Sequence, residues 1–410
     1  MSEIEYYSRK LKNSKIFKLC KSPFTGLYIG PQGHIVLCCM AQHHFLGHID
    51  DIEDLEEFYN GPKMEKIRTK LEAGEYSTMT PCKICYDREC LNSHPFKLNM
   101  EKWHTYENFD DDWKKRKEGK NRPIRYLEYT LSNICNATCA TCISEWSSLW
   151  LPLDKKFGRT VTPISKLSES AIPKIEKILY GLERICIKGG EPFADIRNLR
   201  ILKKLFEVNP DCIVNIVSNC QTITKEAMDI LKMGKNIYLQ ASIDGVGKTY
   251  DWIRSGNWER TCNTMKRYHE ETGQSVHVIT FTSLYNFFIL DQIDDFFKDF
   301  KPVWCNTFNN YAVHPHYVRP DLLPEHIFNK QMEKLKKVLR KQPDVISHSL
   351  LKQKWVDLGK DKELAEHYYI GTPEKNRYFF FKEMDKMNKH RGFDLCDHIP
   401  ELKDWRNGRF

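Results

Sequence analysis

Three cysteines stand in close order, Cys135, Cys139 and Cys142, in the pattern C-x3-C-x2-C. Thiolates are soft ligands, and a four-iron cluster that receives three protein thiolates keeps one iron open to another ligand, which is where chemistry can occur. A zinc site would prefer four protein ligands in a closed tetrahedron, and neither His nor a fourth Cys follows directly after Cys142. A second set, Cys20, Cys38 and the pair Cys82/Cys85, supplies four thiolates. It could close a tetrahedral metal site or a four-iron cluster with no open position. Cys39 and Cys90 lie nearby in sequence and could each replace a neighbour.

The rest of the chain favours metal over disulfides. With 15 cysteines among 410 residues it is far too long for a secreted disulfide scaffold. The start, Met1-Ser2-Glu3-Ile4-Glu5-Tyr6-Tyr7, has no apolar run behind a basic end, and no segment approaches the roughly 18 apolar residues that cross a bilayer. A cytoplasmic protein with reduced thiols and no membrane partner is therefore expected. The net charge of +8 is mild for this length, and basic residues are interleaved with acids along the chain, as in Asp110 to Lys117. That pattern gives no one-signed face for phosphates, so nucleic acid is not an expected partner.

The elements that would position these residues follow from periodicity. Residues 24–39 alternate like two short strands about a turn at Gly30–Gly33, and a helical pattern covers Ile52 to Ala73. From Arg125 onward six apolar runs, Tyr126–Leu131, Arg184–Lys188, Ile213–Val217, Ile237–Ile243, Val276–Phe281 and Val303–Thr307, alternate with amphipathic stretches. This implies βαβ units and a parallel sheet, open or curled into a partial barrel. The expected organisation is a small cysteine-rich α+β domain over residues 1–100, a polar linker over 101–121, an α/β core over 122–320 and a helical C-terminal extension over 321–410. The cysteine trio falls just after the first core strand, and active sites of such folds form at the C-terminal ends of strands.

With Lys188-Gly189-Gly190-Glu191-Pro192 after the second core strand, the trio resembles the signature of the radical S-adenosylmethionine superfamily. The resemblance implies a partial (β/α)6 TIM-like barrel. It also implies a 4Fe-4S cluster on Cys135, Cys139 and Cys142 whose open iron binds S-adenosylmethionine, and Gly189, Gly190, Glu191 and Pro192 around the methionine amino group. Ser218 and Asn219 beyond the third strand resemble the family's polar tip there. Ser242 and Asp244 beyond the fourth would face the ribose and methionine parts, with Arg254 a candidate for the carboxylate. The family usually places an aromatic residue before the third cysteine; this chain has Thr141, which weakens the adenine contact carried from that position. Cys20, Cys38, Cys82 and Cys85 resemble the twitch half of a SPASM domain, which holds an auxiliary four-iron cluster and in those enzymes usually follows the core rather than preceding it.

The resemblance further implies reductive cleavage of S-adenosylmethionine to a 5′-deoxyadenosyl radical that abstracts hydrogen from a substrate. A low-potential donor of flavodoxin or ferredoxin type would supply the electron, and the substrate would be a peptide or protein. Two alternatives stay open: a non-catalytic module in which both cysteine sets hold zinc, and a two-cluster electron-transfer protein. Gly245-Val246-Gly247-Lys248-Thr249 fails as a phosphate loop because its first glycine would fall at Ser242. His43-His44, His314 and His316 lack ligand spacing with any cysteine, and Trp146 and Trp150 read as packing residues.

Overall fold

The computed structural model describes residues 20–39, 41, 44–75, 79, 82, 104, 106–311, 316–338 and 373–409. It divides into two compact units, one formed by residues 1–133, 165–216 and 229–237, the other by 134–164, 217–228 and 238–410.

In the first unit the strands β1 (Gly26–Ile29), β2 (His34–Val36), β3 (Phe45–His48), β4 (Tyr126–Thr130), β5 (Arg184–Lys188) and β6 (Ile213–Ser218, whose last two residues belong to the second unit) lie in the order β3-β2-β1-β4-β5-β6. β1 pairs antiparallel with β2 and parallel with β4, which pairs parallel with β5. The N-terminal strands therefore extend the core sheet instead of forming a sheet of their own. Sequence periodicity located β1 and β2 but not β3, a four-residue strand, Phe45-Leu46-Gly47-His48, with a glycine in its middle. The turn between β1 and β2 requires Gly33: its φ is +83°, and a Cβ there would meet the His48 ring at 2.5 Å.

Segment 101–121, expected as a linker, contains the helix Phe109–Lys117, with three aspartates in its first turn and four basic residues in its last, the arrangement the helix dipole favours. Its two buried charges, Asp112 and Arg116, are paired rather than solvated. Asp112 is 1% exposed and meets Arg125 at 2.7 Å, while Arg116 bonds Glu65 and Glu72.

In the second unit β7 (Ile237–Ser242), β8 (Val276–Thr282) and β9 (Val303–Tyr311) pair in parallel. Each of the six strands β4 to β9 is followed by at least one helix, so the chain has the (β/α)6 alternation expected of it. Beyond β9 come the helices Glu325–Val338, Pro373–Arg391 and Pro400–Arg406. Among the described residues no helix is long and apolar enough to cross a membrane.

Candidate functional site

The cysteine trio sits on the loop after β4, in the second unit. Cys139 is buried, and Cys135 and Cys142 are partly exposed. The loop is held at almost every residue. Cys135 N–H donates to Ser148 Oγ at 3.2 Å, Thr138 N–H to Ser255 Oγ at 2.7 Å and Cys142 N–H to the Cys139 carbonyl at 3.0 Å. The Ser147 hydroxyl donates to the Ala137 carbonyl at 2.7 Å, and the Trp150 indole N–H to the Cys139 carbonyl at 3.0 Å. Ser255 presents its hydroxyl from a left-handed conformation, φ +49°, which non-glycine residues adopt only where neighbours enforce it. Of the two tryptophans read as packing residues, Trp150 is fully buried and Trp146 is 40% exposed.

The helix Gly247–Arg254 ends against this loop. Its Ile253 carbonyl accepts from Ala140 N–H at 2.7 Å, and its Arg254 carbonyl accepts from the Cys139 thiol at 3.7 Å and from Gln221 Nε2 at 3.1 Å. The loop thus caps carbonyls that a helix end leaves without partners. Arg254 and Asp244, to which sequence reasoning gave separate ligand contacts, face each other at 3.0 Å. Asp244 also accepts from Phe281 N–H at 2.8 Å. Burial works against the Arg254 charge, but the negative charges of Cys139 and Asp244 outweigh it and hold the guanidinium protonated.

Asn219 donates to Asn136 Oδ1 at 2.7 Å, tying the polar tip beyond β6 to the loop between Cys135 and Cys139. Ser218 is buried and accepts from Cys220 N–H at 2.9 Å, and Ser242 lies half-buried at the end of β7.

In the first unit, Gly189 to Pro192 follow β5. Gly189 has φ +153°, and a Cβ on it would stand 2.9 Å from the Ser132 carbonyl, which itself accepts Gly190 N–H at 3.1 Å. No side chain fits there, because the backbone of Ser132 occupies the place. Glu191 is buried and its carboxylate caps the turn Pro192–Ala194 through Phe193 N–H at 3.2 Å. Ser132 donates to Asp195 at 2.7 Å, and Asp195 is held by Arg197, also at 2.7 Å. This support was not legible, because Ser132, Asp195 and Arg197 carry no motif.

The donor chemistry fits an iron-sulfur cluster. Burial pushes the Cys142 thiol well above its usual range, and charge on Cys139 and Cys135 pushes it further. Burial raises Cys139 too, with Arg254 and Arg391 opposing that rise. Three thiolates so close in so dry a loop need cations between them. Among the described residues no three His, Cys, Asp or Glu side chains converge as the ligands of a single ion would. Three thiolates on one short loop are a soft donor set of the kind that holds an iron-sulfur cluster.

Of the second set, Cys20 and Cys82 both pack against the apolar cluster of Phe24 and Leu71, with Ile67, Phe109 and Trp113 around it. Cys38 follows β2, and Cys85 lies outside the described residues. Cys39 is close enough to Lys188 at the end of β5 to influence its charge.

Residues 129–300 match the model of the radical SAM superfamily, and residues 20–86 match SPASM, an iron-sulfur cluster-binding domain. Among curated proteins, the sporulation killing factor maturation protein SkfB of Bacillus subtilis is 28% identical over 145 residues, 34% of this chain and 32% of that protein. The chain therefore spans about a third of the length of that relative. Among solved structures, Streptococcus suis SuiB bound to S-adenosylmethionine has a TM-score of 0.39 at 16% identity, covering 76% of this chain and 69% of that one. The structure titled native anSMEcpe with bound AdoMet has a TM-score of 0.38 at 14% identity, covering 52% and 60%.

Proposed function

We propose that this chain, a member of the radical S-adenosylmethionine superfamily through residues 129–300 with an iron-sulfur-binding SPASM domain over residues 20–86, is an enzyme that cleaves S-adenosylmethionine and modifies a peptide. The cofactors of these domains are a 4Fe-4S cluster with S-adenosylmethionine and a further iron-sulfur cluster. Cys135, Cys139 and Cys142 would hold the first, and Cys20, Cys38, Cys82 and Cys85 the second. Bound at the trio, a reduced cluster supplies the electron that converts S-adenosylmethionine to methionine and a 5′-deoxyadenosyl radical able to abstract hydrogen from a substrate.

The chain's own residues would position the reactants. Gly189, whose Cβ position the Ser132 carbonyl occupies, lets the chain turn tightly after β5, and Gly189 to Pro192 are the candidates for the methionine end of S-adenosylmethionine. Ser218, Asn219, Ser242 and Asp244 are the remaining candidates for its polar groups. Arg254, fixed by Asp244, places a buried positive charge beside Cys139. Electrons would come from a low-potential flavodoxin or ferredoxin type of donor.

The observation that carries this reading is the gathering of three thiols on one hydrogen-bonded loop with Cys139 buried at its centre. The peptide substrate draws support from the curated relative, named as a maturation protein of a killing factor. The test is anaerobic reconstitution with iron and sulfide, addition of S-adenosylmethionine and a strong reductant, and measurement of 5′-deoxyadenosine. Product from the wild type and none from the Cys135/Cys139/Cys142 triple-alanine variant is expected. No product from either, despite a full iron load, would sink the reading, and a colourless protein loaded with zinc would replace it with a structural module.

A further inference from the structure

The C-terminal helix Pro373–Arg391 lies outside both family matches, yet it ends on the cysteine loop. Its last residue, Arg391, turns two of its three guanidinium nitrogens onto that loop. Nη1 donates to Thr138 Oγ1 at 3.0 Å, Nη2 donates to the Thr138 carbonyl, and Nε donates to the Trp252 carbonyl at 2.8 Å. Thr138 immediately precedes Cys139. Three residues earlier on the same helix, Asn388 accepts the Trp252 indole N–H at 2.9 Å and is itself fixed by Asp394 at 2.8 Å. Gly392, with φ +81°, stops the helix at this point, and its N–H returns to the Asn388 carbonyl at 2.8 Å. The guanidinium is therefore placed by several independent bonds.

The placement answers an electrostatic problem. The carbonyls of Trp252, Ile253 and Arg254 form the negative end of the helix Gly247–Arg254, and all three point into the cysteine loop or its support. As a thiol, Cys139 can donate to the Arg254 carbonyl; as a thiolate it would face that oxygen with like charge. Two cations stand at this loop, Arg254, whose carbonyl meets the Cys139 sulfur, and Arg391 on Thr138. Arg254 is already committed to Asp244. Arg391 has no carboxylate within ion-pairing reach among the described residues, so its charge is turned on the loop undiluted.

We infer that Arg391, delivered by the C-terminal helix, is a positioning residue for the catalytic cluster: it fixes Thr138 and hence Cys139, and its charge raises the reduction potential of the cluster held there. This rests on the reading of Cys135, Cys139 and Cys142 as cluster ligands. Groups one layer removed from a metal's ligands commonly alter metal affinity by about 10- to 100-fold, and hydrogen bonds and nearby charge set cluster potentials.

The test uses the full chain, reconstituted anaerobically as wild type, Arg391→Gln, Arg391→Met, Arg391→Lys and Thr138→Val. Two quantities are read for the cluster whose spectrum responds to S-adenosylmethionine: the rate of iron loss to a chelator, and the midpoint potential by spectroscopically monitored titration. Arg391→Gln and Arg391→Met are expected to lose iron roughly tenfold faster, at the low end of that range, and to show a more negative potential. Arg391→Lys keeps the charge but cannot span all three acceptors, so it should lose iron faster with a potential near wild type. Thr138→Val should do the same more weakly. A merely structural arginine would change iron loss in the neutral variants and leave the potential in place, and that result overturns the inference. So does a potential that falls equally in Arg391→Lys. Wild-type protein that takes up no cluster at the trio would instead defeat the underlying reading, visibly and before any variant is compared.

Discussion

The two cysteine sets are built on different plans. Cys135, Cys139 and Cys142 occupy eight consecutive residues, and a polar network from distant segments, Ser148, Trp150, Ile253, Ser255 and Arg391, fixes the loop that carries them. Cys20 and Cys82 are 62 residues apart and meet on apolar packing, the cluster of Phe24 and Leu71. Closing so long a loop costs chain entropy that local motifs never incur, and here helix packing and the Arg116 pairs with Glu65 and Glu72 offset it. The difference teaches that the first site is organised by hydrogen bonds at the loop itself, whereas the second is organised by the stability of the unit around it. Disturbing polar bonds should therefore injure the first, and weakening the fold should injure the second.

The largest effect that would sharpen this contrast is expected from Asp244→Ala. It leaves the Arg254 guanidinium buried without its carboxylate, and breaking a buried pair from one side costs about 3–5 kcal/mol. Urea unfolding should show a loss of that order, and iron bound at the trio should fall because Arg254 no longer holds its place beside Cys139. An unchanged unfolding midpoint would mean the pair does not organise the loop.

Much of this plan was legible in the sequence. Runs such as Ile213–Val217 and Val276–Phe281 are rich in β-branched residues, and the strands β4 to β9 fall where those runs predict them. The trio and Gly189–Pro192 were found because both are contiguous motifs at strand ends. What periodicity could not reveal is pairing at a distance: that β1 joins β4, that Asp244 pairs with Arg254, and that Arg391 reaches Thr138 across 253 residues. The helix Phe109–Lys117 was missed because its charges read as solvated, although the order of acids before bases signals a helix.

A smaller effect distinguishes the N-terminal side. His104 is buried, its Nδ1 2.6 Å from Thr25 Oγ1, and burial, with lesser contributions from Arg184 and Lys21, pulls its pKa down from 6.5 to about 3. The unfolded chain therefore binds a proton below pH 6.5 that the folded chain refuses. Stability is complete above pH 6.5 and is lost as the pH falls from 6.5 toward 3. Unfolding curves at pH 7 and pH 4.5 should differ in this direction, and His104→Phe should reduce the difference. An identical pH dependence in the variant would remove His104 as its source and blur the contrast.

The smallest effect tests the loop one bond at a time. Ser148→Ala removes the acceptor of the Cys135 N–H, a bond of 3.2 Å at a partly exposed position, and a single neutral hydrogen bond contributes about 1 kcal/mol. Because the other bonds of the loop remain, iron binding at the trio should weaken by no more than about fivefold, the equivalent of that energy. Amide exchange at Cys135 should speed up while exchange at Ala140, bonded to Ile253, stays slow. If Ala140 also became fast, the loop would behave as a single cooperative unit rather than a set of separable bonds. The first site would then resemble the second in depending on the fold as a whole.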